Sequence, residues 1–106
     1  MTIYLANAFS LNMLDIGAEG MRVDIQRTSP SEIPADAESL IGHADMAAIL
    51  SSILNRQVEV NRGSVTLQDG DILYVAQYHG SRLPAGATEL PSDARIEFYR
   101  ITLQSK

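Results

Sequence analysis

His43 has the side chain and the position of a general acid. It follows Gly42 and stands where the clearest helix of the chain is predicted to begin. The first backbone N–H groups of a helix lack partners within the helix, so they form a ready anion site. A histidine there could protonate a leaving oxygen while the helix end holds a phosphate. An ordinary solvent-facing residue at a helix N-terminus is the alternative, and position alone favours it.

Two other groups of polar residues follow predicted strands. Arg82 lies in a glycine-containing loop after the most apolar strand, where its planar guanidinium is suited to a phosphate. Asn7, Ser10 and Asn12 follow the first strand. A surface arginine in a turn and polar caps of a short helix are the structural alternatives for these two groups. Both interpretations remain open on spacing alone.

The residue inventory offers little support for metal-dependent hydrolysis. The chain has no cysteine, no His-x-x-x-His pair and no acidic cluster at ligand spacing. Asp69 and Asp71 flank a glycine in what we interpret as a hairpin turn. His79, at a strand end close in sequence to Arg82, is a candidate for a supporting role only. The absence of a Gly-x-Ser-x-Gly motif argues against a Ser-His-Asp hydrolase. We therefore predict neither a metal nor a cofactor.

Composition limits the partners that the chain can take. Its 106 residues fit one domain, and the formal net charge is −5, with 13 acidic against 8 basic residues. This balance argues against binding polymeric nucleic acid through its phosphates, although a few arginines can still converge on a small anion. The apolar runs are too short to cross a bilayer, and the first residues lack the basic region of a signal peptide. We expect no membrane partner and a cytoplasmic location.

The elements that must position these residues follow from hydrophobic periodicity. Strands are predicted at residues 2–6, 21–26, 58–60, 72–76 and 96–103, with residues 65–67 as a further candidate. A long helix is predicted at residues 44–54, and short helical turns at residues 10–14 and 87–91. Residues 28–38 read as a loop with partial helix. The order indicates an α/β or α+β fold of residues 1–106: one mixed sheet of about five strands with flanking helices, and a surface that a dimer could cover.

Several segments together resemble a known family. Residues 4–14, YLANAFSLNML, are closely similar to the N-terminal signature of the viral ring nucleases. These are small type III anti-CRISPR proteins of archaeal viruses and phages, with relatives encoded beside bacterial CRISPR loci. Residues 41–43, 73–77 and 82–86 match further segments of the family in the same order, and residues 61–62 fall where the family tends to carry such a pair. The resemblance covers essentially the whole chain.

The resemblance implies a homodimer that binds cyclic tetra-adenylate, the second messenger of type III CRISPR complexes, across its two-fold axis. It implies His43 as the principal catalytic residue, assisted by Arg82. Members of the family often have glutamate where this chain has Ala85, so turnover here could be slower or another residue could substitute. The residues assigned to ligand binding are Asn7, Ser10, Asn12, Gly42, Arg62 and Gln77.

The implied chemistry needs no metal, because an adenylate ring carries its own nucleophile, the ribose 2′-hydroxyl. In-line attack on the adjacent phosphorus expels the 5′-oxygen and leaves a 2′,3′-cyclic phosphate. Positioning, charge stabilisation and one proton donor are sufficient. Two alternatives remain on sequence alone: a dimer that sequesters the cyclic nucleotide without cutting it, and a dimeric module that binds another protein through an exposed sheet face.

Overall fold

Five strands form one mixed sheet in the computed structural model, which describes residues 1–105. They are β1 (Ile3–Ala6), β2 (Met21–Thr28), β3 (Glu38–Ser39), β4 (Ile72–His79) and β5 (Arg95–Ser105). The sheet order is β2-β5-β4-β1-β3. β1 pairs in parallel with β3 and β4, whereas β5 pairs antiparallel with β4 and β2. The predicted single-layer α+β fold with a central strand at residues 72–76 is confirmed.

One face of the sheet is covered by the helix α1 (Ala44–Leu54), with the bounds predicted from its apolar stripe. Met46, Ile49 and Leu50 of this stripe are buried. Asn55 ends the helix in the left-handed conformation, with φ of 55°. Residues of β1, β4 and β5 that point to this face complete the core: Leu5, Tyr74, Ala76 and Phe98. Within residues 1–105, no helix is long and apolar enough to cross a membrane.

The other face of the sheet is covered by irregular segments rather than by a helix. Alternate strand residues point to this side, among them Leu73, Val75 and Ile101. The connection after β1 and the segment before β4 pack over them and contribute Phe9, Met13, Leu14, Val65 and Leu67. β4 is therefore buried on both faces, which accounts for its almost continuous apolar sequence.

Three predicted elements are wrong and one strand was missed. Residues 58–60 and 65–67 form no strand: Val58 N donates to Ser51 Oγ (2.9 Å), and Leu67 N donates to Met13 O (2.7 Å). Val58 and Leu67 are buried although no ladder forms, whereas Val60 is exposed. Residues 87–91 form no helix and follow a turn at residues 85–86. The fifth strand is instead β3, in the region predicted as a loop.

Glu32, just after the end of β2, makes a small pH-dependent contribution to the stability of the fold. Its carboxylate accepts hydrogen bonds from the hydroxyl of Thr28 and from the N–H of Ser29, and these bonds lower the pKa of Glu32. A carboxyl whose native pKa is depressed stabilises the fold above its unfolded-state pKa, and this contribution is lost as the pH falls through the native pKa. We expect Glu32→Gln to flatten the acid limb of stability slightly. Urea unfolding between about pH 3 and pH 7 measures this, with Glu89→Gln as the control; an unchanged acid limb would contradict it.

Candidate functional site

The candidate residues follow the carboxyl ends of the three parallel strands. Asn7 follows β1, residues 42–43 follow β3, and residues 80–82 follow β4. Because β1, β3 and β4 run in the same direction, these ends lie at one edge of the sheet. Leu40 N donates to Leu5 O (2.7 Å), which keeps the connection from β3 to α1 alongside β1. The topology therefore directs three chemically interesting segments to a common edge.

His43 is the N-cap residue of α1, as its position in the sequence predicted. Its backbone is extended (φ −125°, ψ 135°), and its carbonyl accepts the first helical hydrogen bond from Ala47 N (3.0 Å). Its side chain makes no capping hydrogen bond and is exposed. The imidazole is thus available to a ligand that sits on the unpaired N–H groups of the first helical turn.

The Arg62 side chain lies across the backbone directly before α1. Its Nε donates to the carbonyl of Gly42 (2.9 Å), and a Cβ atom on Gly42 would meet Arg62 Cγ at 3.6 Å. Asn61 anchors this segment, since its N–H donates to Ile41 O (2.8 Å) and its Nδ2 donates to Ser39 O (2.9 Å). The structure therefore brings Gly42 and Arg62 together and places a guanidinium group beside the N-terminus of α1.

Arg82 lies in the long loop between β4 and β5, residues 80–94, and its side chain is exposed. The base of this loop is closed by side chains on both of its arms. The hydroxyl of Tyr78 donates to Ser81 O, and the hydroxyl of Ser81 donates to Asp93 Oδ2 (2.9 Å). These bonds fix the backbone immediately before Arg82.

The same loop is attached to α1 further along. Leu83 packs against the core on the helix side of the sheet. The N–H of Gly86 donates to Asp45 Oδ1 (3.2 Å), and Asp45 belongs to the first turn of α1. The loop that carries Arg82 is therefore tied to the helix that begins after His43. This contact also brings a carboxylate next to Ala85, the position where the resembling family often has glutamate.

The remaining predicted ligand-binding residues are Asn7, which follows β1 at this edge, and Ser10, Asn12 and Gln77. Ser10 caps a 3-10 turn (Leu11–Met13), since its Oγ accepts from Asn12 N (3.2 Å); the structural role open on sequence is thus present. Gln77 is exposed on the sheet face opposite α1. In the part of the chain that the structure describes, no hydrogen bond joins these residues to His43.

A charged cluster around Glu97 was not predicted from the sequence. The Glu97 side chain is only 15% exposed, and it pairs with Arg27, with Arg95 (3.3 Å) and with His79 Nε2 (3.0 Å). The hydroxyl of Tyr99 lies 3.5 Å from its second oxygen. The cluster occupies the sheet face opposite α1, so the His79 ring lies beside Glu97 on that face.

Metal-ligand groups give no competing site at this edge among residues 1–105. No group of three or more histidine, aspartate or glutamate side chains there is placed to hold a metal ion. A groove of about 760 Å³ lies beside Gly70, the start of β2 and the end of β5. This is the opposite edge of the sheet, because Gly70 precedes the amino end of β4. The candidate residues form an open surface on a single chain.

Fold and site together define a small α+β protein whose parallel strand ends carry an open, phosphate-compatible surface. The chain belongs to the STIV B116-like family, whose model matches residues 3–102. Its fold is similar to that of B116 of Sulfolobus turreted icosahedral virus, with a TM-score of 0.76 over 96% of this chain and 99% of that one. The two sequences are 21% identical, so this likeness concerns the fold. No curated protein matches the chain.

Proposed function

We propose that the chain is a metal-independent ring nuclease that cleaves cyclic tetra-adenylate as a homodimer. The observation that carries the proposal is the position of His43 at the N-terminus of α1, exposed and free of any capping bond. Arg62 is fixed beside it across Gly42, and the Arg82 loop is attached to the same helix. A proton donor, unpaired helical N–H groups and two guanidinium groups are the parts that phosphodiester cleavage without a metal requires.

The reaction uses the ribose of the ring as the nucleophile. The 2′-oxygen attacks the adjacent phosphorus, a P–O2′ bond forms, and the P–O5′ bond breaks. The 2′-hydroxyl proton passes to solvent, while the His43 imidazolium donates its proton to the departing 5′-oxygen. The products are linear oligoadenylates with a 5′-hydroxyl and a 2′,3′-cyclic phosphate. A positioned general acid accelerates the reaction roughly 10²–10⁴-fold, and in-line placement of the 2′-oxygen lowers the activation barrier by several kcal/mol.

The N-terminus of α1 and Arg82 stabilise negative charge on the phosphate and transfer no proton. The first N–H groups of α1 face the phosphate that is cut, where their partial positive charge opposes the negative charge of the transition state. Arg82 binds the same phosphate through its guanidinium, in the ground state and in the transition state alike. Arg62, beside the same helix end, holds the adjacent part of the ring. Asn7, Ser10, Asn12 and Gln77 are assigned to the ring by the resemblance alone.

A homodimer accounts for the open geometry of the single chain. His43 and Arg82 are exposed at the sheet edge, whereas a ligand site normally encloses most of its ligand. A ring of four equivalent nucleotides has a two-fold axis, so two copies of this edge would enclose it and present equivalent scissile bonds. Cleavage would switch off type III CRISPR signalling in the cytoplasm of the cell or of an infected host.

One feature favours a second function, a sponge that binds cyclic tetra-adenylate without cutting it. Ala85 carries no carboxylate where the resembling family often has one. If that glutamate is needed for turnover, the chain would retain binding and lose cleavage. The sponge shares the fold and the site with the nuclease, so product analysis rather than binding distinguishes them.

The deciding experiment incubates the purified protein with labelled cyclic tetra-adenylate in EDTA and separates the products chromatographically. We expect linear fragments that end in 2′,3′-cyclic phosphate. An intact ring that co-elutes with the protein would replace the nuclease with the sponge. An intact ring that does not bind would refute both functions and leave the module that binds another protein.

Arg82→Ala should weaken binding and cleavage together, because the guanidinium contacts the phosphate before and during the reaction. We expect KM to rise and kcat/KM to fall by about 10²-fold, the effect of removing one charge-stabilising donor. Steady-state kinetics measures this, with Arg22→Ala as a matched control, since Arg22 is an exposed arginine at the opposite edge of the sheet. Equal kinetics for the two variants would remove Arg82 from the site.

A further inference from the structure

Asp45 makes a contact that its sequence position does not explain. An acidic residue in the first turn of a helix ordinarily stabilises that helix through its dipole. The Asp45 carboxylate instead accepts a hydrogen bond from Gly86 N, 41 residues further along the chain (3.2 Å). It is half-buried, although it lies at the start of a helix whose N-cap residue, His43, is exposed.

The partner of Asp45 is held in a turn that leaves its N–H free. Ala87 N donates to Pro84 O (3.2 Å), and Gly86 has a φ of 79° inside this turn. Positive φ at the third residue is the pattern that favours glycine, and the turn does not use the N–H of that residue. The Gly86 N–H is thus available to Asp45.

Arg82 lies on the stretch of loop between two attachments. Ser81 is bonded to Asp93 at the base, and Gly86 is bonded to Asp45 beyond it. Gly86 follows Arg82 by four positions along the chain, and this stretch can span at most about 14 Å. While the Asp45 bond is made, Arg82 therefore remains within about 14 Å of the residue that is bonded to the first turn of α1.

We infer that Asp45 is a positioning residue of the site: its carboxylate attaches the 80–94 loop to α1 and so fixes Arg82 relative to His43. The catalytic consequence rests on the proposed function, whereas the attachment itself does not. Asp45 contacts neither the scissile phosphate nor the proton that is transferred. It acts through Arg82. A helix-stabilising role alone would leave Arg82 unaffected.

Two substitutions separate the charge of Asp45 from its hydrogen bond. Asp45→Asn keeps an oxygen that accepts from Gly86 and removes a negative charge close to an anionic ligand. It should leave kcat nearly unchanged and lower KM by roughly two- to fivefold. Asp45→Ala removes the acceptor and should lower kcat by about 10- to 100-fold through misplacement of Arg82. Asp36→Ala, an exposed aspartate in another loop, is the control and should match the wild type.

A double-mutant cycle tests whether Asp45 acts through Arg82. In the Arg82→Ala background, Asp45→Ala should slow cleavage by less than about twofold, because the group that it positions is already absent. Fully additive losses would overturn the inference, since Asp45 would then act independently of Arg82. Circular dichroism melting of every variant establishes that each protein is folded.

Limited proteolysis tests the attachment without reference to any activity. Trypsin cuts after arginine, so the rate of cutting between Arg82 and Leu83 reports how firmly the loop is held. Mass spectrometry should show faster cutting at this bond in Asp45→Ala and wild-type rates in Asp45→Asn. Equal rates in all three proteins would overturn the inference even if the wild type cleaves the ring. A wild type that does not cleave would refute the proposed function, and the trypsin rates would still decide whether Asp45 holds the loop.

Discussion

Replacing His43 with alanine should slow cleavage of cyclic tetra-adenylate by about 10²-fold or more and leave its binding largely intact. The imidazole supplies a proton to the leaving 5′-oxygen, whereas the ring is held by the helix N–H groups and the arginines. The fold should tolerate the change, because the His43 side chain makes no capping hydrogen bond and its backbone carbonyl still accepts from Ala47.

The measurement combines two assays on the same variant. Single-turnover cleavage with protein in excess gives the chemical step, and calorimetric titration of the ring at low temperature gives the affinity. His79→Ala is the matched control, because His79 lies beside Glu97 on the other face of the sheet and should not contribute. Near-normal cleavage by His43→Ala would refute the mechanism. A large loss in His79→Ala would instead move the proton donor to that face.

The regular elements could be predicted where local pattern and tertiary packing agree. Met46, Ile49 and Leu50 of the apolar stripe in residues 44–54 are buried, although Ile53 is exposed, and both helix bounds were correct. β4 reads as a central strand because both of its faces are covered. β3 has only two residues, Glu38 and Ser39, and is too short to show a hydrophobic period. It exists because β1 offers a free edge, which is information that no local window contains.

The misread strand at residues 58–60 shows the opposite failure. Val-Glu-Val alternates as a half-exposed strand does, and Val58 is indeed buried. Its N–H is taken by the hydroxyl of Ser51, however, so no neighbouring strand pairs with it. Val60 is 49% exposed, so the alternation indicated burial correctly at only one of the two valines, and the backbone partners decide whether a ladder forms.

The candidate site was predictable in its parts and not in its contacts. The position of His43 at a helix start follows from the helix pattern, and the glycine-containing loop of Arg82 follows from its composition. The bonds that assemble them join residues 20 positions apart, Arg62 to Gly42, and 41 positions apart, Gly86 to Asp45. The first joins two irregular segments and the second joins an irregular loop to the first turn of α1, and no periodicity indicates either partner. Asp45 was missed because an acidic residue in a first helical turn already has a sufficient local explanation.

Asp71→Ala should destabilise the fold by about 3 kcal/mol or more, a large part of the roughly 5–15 kcal/mol that holds a small domain together. Asp71 is only 6% exposed, and its two oxygens accept from different segments. Oδ1 accepts from Thr2 N (2.9 Å), and Oδ2 accepts from Gln68 N (2.9 Å). The first bond fixes the start of β1 and the second closes the turn before β4. Alanine would remove the acceptor of both part-buried N–H groups at once.

Asp69 provides the matched control, two residues away in the same turn. It is exposed and accepts only from Ser105 at the end of β5, so Asp69→Ala should cost less than about 1 kcal/mol. Urea unfolding of both variants measures the difference. Similar losses for the two would contradict the assignment of the structural role to Asp71.

The same titration with added Mg²⁺ or Ca²⁺ tests our interpretation of this Asp-Gly-Asp turn as structural. If the turn bound a metal ion, the ion would raise the urea midpoint of unfolding of the wild type but not of either variant. If the turn is structural and held by Asp71, neither ion should change the midpoint.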